Sequence, residues 1–130
     1  MLDPAIRDLA SKGANFATIC FHLPGGQIAS HVMWVDADDE HIRINTEVHR
    51  AKYRAIEQNP SVTVTVWNKE NPYQYGEVRG TVVGEVRGPE ARANIDALSQ
   101  RYTGNLYGNA IESERVILKI APDRQRSMGL

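Results

Sequence analysis

The stretch that most constrains the fold is residues 74–87, QYGEVRGTVVGEVR. It is β-prone along its whole length, yet Gly76, Gly80 and Gly84 interrupt it. Glycine inside a strand marks a bulge, a bend or a close approach of another backbone. Strands that curl to close a barrel need such points. The other β-prone segments are short and antiparallel in character. Residues 15–22, NFATICFH, read as a well-buried strand, and Pro24-Gly25-Gly26 turns the chain into a hairpin partner, Gln27 to Val35. The acidic turn over 36–39 leads into a strand beginning near His41, where Ile42 and Ile44 alternate with polar residues. These three strands are expected to form an antiparallel meander. Val62, Val64 and Val66 then alternate with Thr63, Thr65 and Trp67. A loop, KENPY over 69–73, connects to the glycine-interrupted strand. Arg115 to Ala121 is the last strand, and the polar tail over 123–130 is expected to fray.

Three helices complete the pattern. Asp3-Pro4 opens the first, with Asp as cap and Pro at the first helical position. Ile6, Leu9 and Ala10 make its stripe, and Gly13 stops it. The second begins within 46–49, with Val48, Ala51, Ala55 and Ile56 on its apolar face, and Asn59-Pro60 ends it. The third runs from Gly88-Pro89 to about Tyr102, and residues 103–113 are irregular. Six or seven strands with three helices suit one domain spanning 1–130. An antiparallel sheet of this kind closes on itself or is covered, which gives a small β-barrel or an α+β sandwich.

The net charge of −1 argues against a nucleic-acid binder, which is usually basic. No apolar run approaches the roughly 20 residues of a membrane span, and the first residues lack the apolar stretch of a signal peptide. With the single cysteine, Cys20, these features make a cytoplasmic location the expectation. His22, His31, His41 and His49 fall in separate elements without metal-ligand spacing, so no metal site is expected. There is no GxSxG elbow, GxGxxG turn or Walker loop.

The local charge is more informative. Arg50, Lys52 and Arg54 crowd the early turns of the second helix in a chain that is slightly acidic overall. A helix N-terminus offers free N–H groups and a positive dipole end, so cations leaning forward there would complete a phosphate site. The alternative reading is a solvated helix face. Trp67, Tyr73 and Tyr107 are candidates to wall a planar ring system, with packing at the core or its rim as the alternative.

Several short motifs appear in a characteristic order. They are Asn45-Thr46, Arg50-Ala51-Lys52, Asn59-Pro60, the valine-rich strand and Glu77-Val78-Arg79-Gly80. Over roughly residues 14 to 122 the chain resembles the flavin-reductase-like split β-barrel family, which includes pyridoxamine-phosphate oxidase. Asn71-Pro72-Tyr73-Gln74-Tyr75 leading into that last motif is similar to its short actinobacterial branch, the oxidoreductases using the deazaflavin coenzyme F420. The resemblance implies a mainly β fold with helices (α+β), an antiparallel split β-barrel paired as a homodimer with cofactors at the interface. It implies that Thr46, Arg50 and Lys52 bind the cofactor phosphate, and that Thr18, Ser30 and Val32 lie along the tricyclic ring. Arg54 shares a stripe with Arg50 and would reach the cofactor's carboxylate tail. The implied activity is hydride transfer to or from an electron-poor small molecule, with the cofactor carrying the chemistry and no fixed catalytic acid or base. FMN in the same fold is the alternative cofactor, and a non-catalytic cofactor-binding protein is the alternative function.

Overall fold

A computed structural model describes all 130 residues. The elements are α1 (Pro4–Ser11), β1 (Phe16–His22), β2 (Ile28–Trp34), β3 (Asp36–Ala37), β4 (Ile42–Glu47), α2 (Ala51–Gln58), β5 (Ser61–Asn68), β6 (Asn71–Arg87), α3 (Pro89–Thr103) and β7 (Arg115–Met128). The seven strands form one sheet in the order β2-β1-β5-β6-β7-β4-β3, and every neighbouring pair is antiparallel. Trp34 ends one edge strand and Asp36 begins the other, with only Val35 between them. Two edges joined by one residue cannot belong to a flat sheet, so the sheet curls into a half-barrel.

The glycines of β6 are where the curl is made. The pairing of β6 with β7 shifts register at Arg79/Gly80 and again at Val82/Gly84. A Cβ on Gly80 would overlap the carbonyl oxygen of Ala121 on β7, and one on Gly76 would stand 2.5 Å from Ile6 Cγ1. Gly76 thus lets α1 lie against the sheet. Inside the curl, alternate residues point to one core: Ala17, Ile19 and Phe21 of β1, Val62, Val64 and Val66 of β5, Ile42 and Ile44 of β4, and Val116, Leu118 and Ile120 of β7. Leu2 ahead of α1, Ile6 and Ala10 of α1, and Tyr53, Ala55 and Ile56 of α2 close it. Ala91, Ile95 and Leu98 of α3 are buried outside that core, on the side of the sheet where Asn45 donates from Nδ2 to the Ala91 carbonyl at 2.9 Å.

Four expectations from sequence are corrected. β1, β2 and β4 do not form a meander: β2 pairs only with β1, and β4 pairs with β3 and β7. The acidic turn belongs to the β3–β4 hairpin instead. There Asp38 Oδ1 accepts the backbone N–H groups of Glu40 and His41 at 2.8 and 2.7 Å. The KENPY segment is not a loop, because Asn68 pairs with Asn71 across a tight turn, and Asn68 Oδ1 accepts the Glu70 N–H at 2.9 Å. The polar tail does not fray, because β7 runs on to Met128, opposite Tyr75 of β6. Its side chains are polar because they are mostly exposed, while its backbone is paired. Finally, α2 starts later than expected. β4 continues to Glu47, the Val48 N–H still bonds the Glu114 carbonyl at 3.0 Å, and Arg50 is the N-cap. Ala51 is therefore exposed, and Tyr53 takes the buried face of the helix.

Candidate functional site

Where the end of β2, the end of β4, the start of α2 and the start of β7 meet, they enclose an open cleft of about 270 Å³. Three cations line it. Lys52 has one polar contact, the Met33 thioether at 3.8 Å, and no carboxylate partner. Burial, then the neighbouring Arg50 and Arg115, pull its ammonium down to about 8. Arg50 caps α2 with its backbone only, which leaves the amides of the first turn free of a side-chain cap. Arg115 opens β7 and is 7% exposed. Its Nε donates to Asn45 Oδ1 at 2.8 Å, and the Tyr107 ring lies 5.2 Å from its guanidinium carbon.

One carboxylate stands against two of these charges. Glu47 is 1% exposed, and its Oε2 stands 3.6 Å from Arg115 Nη1 and 3.7 Å from Arg50 Nη2. Its Oε1 accepts the backbone N–H groups of Glu112 and Ser113 at 2.8 and 2.9 Å. Burial pushes this carboxyl up, but those two amides, with Arg115 beside them, hold it net below the usual glutamate range. The cleft therefore carries an excess of positive charge in a partly dehydrated setting. Such a place takes an anion, and the α2 N-terminus adds free amides and the positive end of its dipole.

The residues singled out from sequence fall into separate groups. Thr46, Arg50 and Lys52 come together in the cleft, and Tyr107 lines it too. Thr18, Ser30 and Val32 point to the outer face of the sheet: Thr18 lies opposite Val32 and Thr65, and Ser30 opposite Cys20. Trp67 shares that face, donating from Nε1 to Thr18 Oγ1 at 3.3 Å and tilted against Phe16 at 5.5 Å. Tyr73 is 84% exposed near the β5–β6 turn, away from the cleft lining. Arg54 is exposed on α2 and does not line the cleft. Trp34 stacks on Tyr102 at 5.1 Å and also lines the cleft.

Sequence reasoning missed Glu47 and Arg115. The available signal was an arginine opening an otherwise apolar strand, RVILKIA, which reads as a strand boundary until its partners are known. No group of three or more His, Cys, Asp or Glu side chains is placed to hold a metal ion. No helix is long and apolar enough to cross a membrane.

A seven-stranded antiparallel half-barrel with three helices and a cationic cleft beside α2 defines a split-barrel protein of the flavin-binding type. The chain belongs to the pyridoxamine 5'-phosphate oxidase family, whose profile matches residues 2–129. Among solved structures it is similar to an F420 reductase, with 30% identity and a TM-score of 0.80 over 97% of this chain and 98% of that one. A conserved hypothetical protein from Mycobacterium tuberculosis shares the fold at 22% identity and a TM-score of 0.75, over 98% of this chain and 84% of that one. General Stress Protein 26 from Bacillus anthracis does so at 20% identity and a TM-score of 0.68, over 95% and 91%. No curated protein matches the chain.

Proposed function

We propose that this protein is an oxidoreductase that binds coenzyme F420 and transfers a hydride to or from an electron-poor small molecule. The observation that carries the reading is Lys52, a desolvated cation with no counter-ion, in a cleft that it shares with Thr46 and Arg50. A phosphate would supply the missing charge. The cleft is large enough for a phosphoryl group and its ester arm and too small for a tricyclic ring as well. The ring would then lie outside it, along β2, an edge strand whose outward backbone groups are unpaired. The side chains of Thr18, Ser30 and Val32 line the outer face beside that edge.

Bound there, the cofactor would supply the hydride chemistry. The chain's own part is binding and orientation. Lys52 and Arg50 hold the anion, Thr46 offers a hydroxyl beside them, and Met33 and Trp34 keep water from the arm. The likeness to an F420 reductase favours the deazaflavin, and FMN is the alternative within the same fold. A homodimer belongs to this reading. Ile28 and Val32 on the outer face of β2 are 69% and 63% exposed, and a partner laid on that face would cover them and enclose the ring.

Two measurements test the proposal. Fluorescence titration of F420 and FMN against wild type and Lys52→Ala should show binding that the substitution weakens about 10- to 100-fold, the size of one charge-assisted bond. An unchanged dissociation constant removes the phosphate from this cleft. Reduced F420 mixed with a panel of electron-poor alkenes and quinones should lose its reduced spectrum only when protein is present. No loss above the protein-free control across the panel would favour cofactor binding without turnover.

A further inference from the structure

We propose that Arg115 is a direct ligand of the anion in the cleft, with Asn45 and Glu47 as the residues that position it. The inference rests on the reading of the cleft as a phosphate site and adds the ligand that neither the helix motif nor the family resemblance names.

Arg115 is held on three sides. Asn45 Oδ1 takes its Nε–H at 2.8 Å, and Asn45 is itself fixed to α3 by donating from Nδ2 to the Ala91 carbonyl and to Asn94 Oδ1, each at 2.9 Å. The Tyr107 ring covers the guanidinium at 5.2 Å. Glu47 stands below it, but Oε2 is 3.6 Å from Nη1, beyond hydrogen-bond reach. Glu47 does not swing closer, because Oε1 is tied to the Glu112 and Ser113 amides. The carboxylate thus keeps the guanidinium in place by charge without bonding its terminal N–H groups, and Tyr107 is its other side-chain partner.

Neither terminal nitrogen is sealed in the interior, and the residue lines the cleft despite being more than nine-tenths buried. Terminal N–H groups that open on the cleft can exchange water for an oxyanion, and their bond to a charged acceptor is the stronger one. The planar fork of arginine matches two oxygens of a phosphoryl group, while Lys52 beside it acts as a point charge. The ligand class is therefore an oxyanion that accepts two parallel N–H bonds, here a phosphate ester.

The test uses the full-length protein with inorganic phosphate, FMN and F420 as probes, and the variants Arg115→Lys, Arg115→Met and Lys52→Ala. With 15N-labelled arginine, the Arg115 side-chain resonances of wild type should shift as phosphate is added, a readout that needs no variant to fold. Arg115→Lys keeps the charge and loses the fork, so it should weaken phosphate and either cofactor about tenfold, and Arg115→Met about 10- to 100-fold. Phosphate binding that leaves the Arg115 resonances unmoved overturns the assignment. So does unchanged affinity in a folded Arg115→Lys protein while Lys52→Ala binds weakly, which would leave the cofactor site standing without Arg115. Phosphate binding that depends on Arg115, with neither cofactor bound, would support the assignment and overturn the proposed function.

Discussion

At the scale of single residues, Lys52 carries a dependence on pH. Its ammonium titrates near 8 in the free protein because it is desolvated beside two arginines. A bound anion would raise that value, so binding would take up a proton above pH 8 and none below. Affinity is therefore expected to be level between about pH 7 and 8 and to fall above 8, approaching tenfold per pH unit. Lys52→Arg should remove the bend, and a wild-type affinity without a break near pH 8 would contradict the account. The same group sets a stability trend with the opposite sense. Its folded value lies below the ordinary 10.5, so between about 8 and 10.5 the unfolded chain binds more protons and stability rises with pH. Lys52→Met should flatten that rise and increase the melting temperature of the unliganded protein at pH 7, while abolishing the affinity gained from the charge. Equal melting temperatures would mean that Lys52 is better solvated than its surroundings suggest. The Arg50-Ala51-Lys52 cluster was legible in sequence because its meaning is local: charges at a helix start. Arg115 was not, because its partner Asn45 lies 70 positions away and only the β4–β7 pairing joins them.

At the scale of elements, the glycines of β6 were legible as points of curvature, but which of them is indispensable was not. Gly80 faces the backbone of β7, which cannot move aside, whereas the nearest atom to a Cβ on Gly84 is the flexible Lys119 Cδ at 4.0 Å. Gly80→Ala should cost about 2–3 kcal/mol in urea denaturation and Gly84→Ala less than about 1 kcal/mol. Equal costs would mean that the register shifts, and not the close approach, select glycine. A second element-level link is Arg101 of α3. Its guanidinium donates to the Ser11 carbonyl at 2.6 Å, to the Ala10 carbonyl at 3.3 Å and to the Val35 carbonyl. It thereby caps the end of α1 and ties down the residue that joins the two sheet edges. Arg101→Met is expected to lower stability by about 3 kcal/mol, read by thermal or urea unfolding, and a loss under 1 kcal/mol would show that water replaces these bonds. The segments misread from sequence, KENPY and the polar tail, share one cause. Both lack apolar alternation because their side chains face solvent, yet Asn71 already pairs with Asn68 and the tail pairs with β6 as far as Met128.

At the scale of the molecule, alternation, turn residues and glycine spacing pointed to a curled antiparallel sheet, a small β-barrel or an α+β sandwich, and the split-barrel class came from the family resemblance. The strand order was not legible, since it depends on which edges the short Val35 link brings together. The exposed outer face of β2 leads to a prediction for assembly: light scattering at micromolar concentration should give twice the 14.5 kDa chain mass. Ile28→Arg with Val32→Arg should shift it toward the single chain. A monomer that binds cofactor at full strength would place the ring elsewhere. The position of β7 has a further consequence, for biosynthesis. The ribosome makes this strand after the other six, yet it lies between β6 and β4 in the finished sheet. Until it emerges, the nascent chain holds two unjoined pieces, β2-β1-β5-β6 and β4-β3, each with an open edge on the side where β7 will insert. Pairings this distant in sequence form slowly, and open edges recruit other chains. The barrel can therefore be completed only once residues 115–128 have emerged, and a ribosome stalled before residue 115 leaves a product with two adhesive edges and a cleft without Arg115.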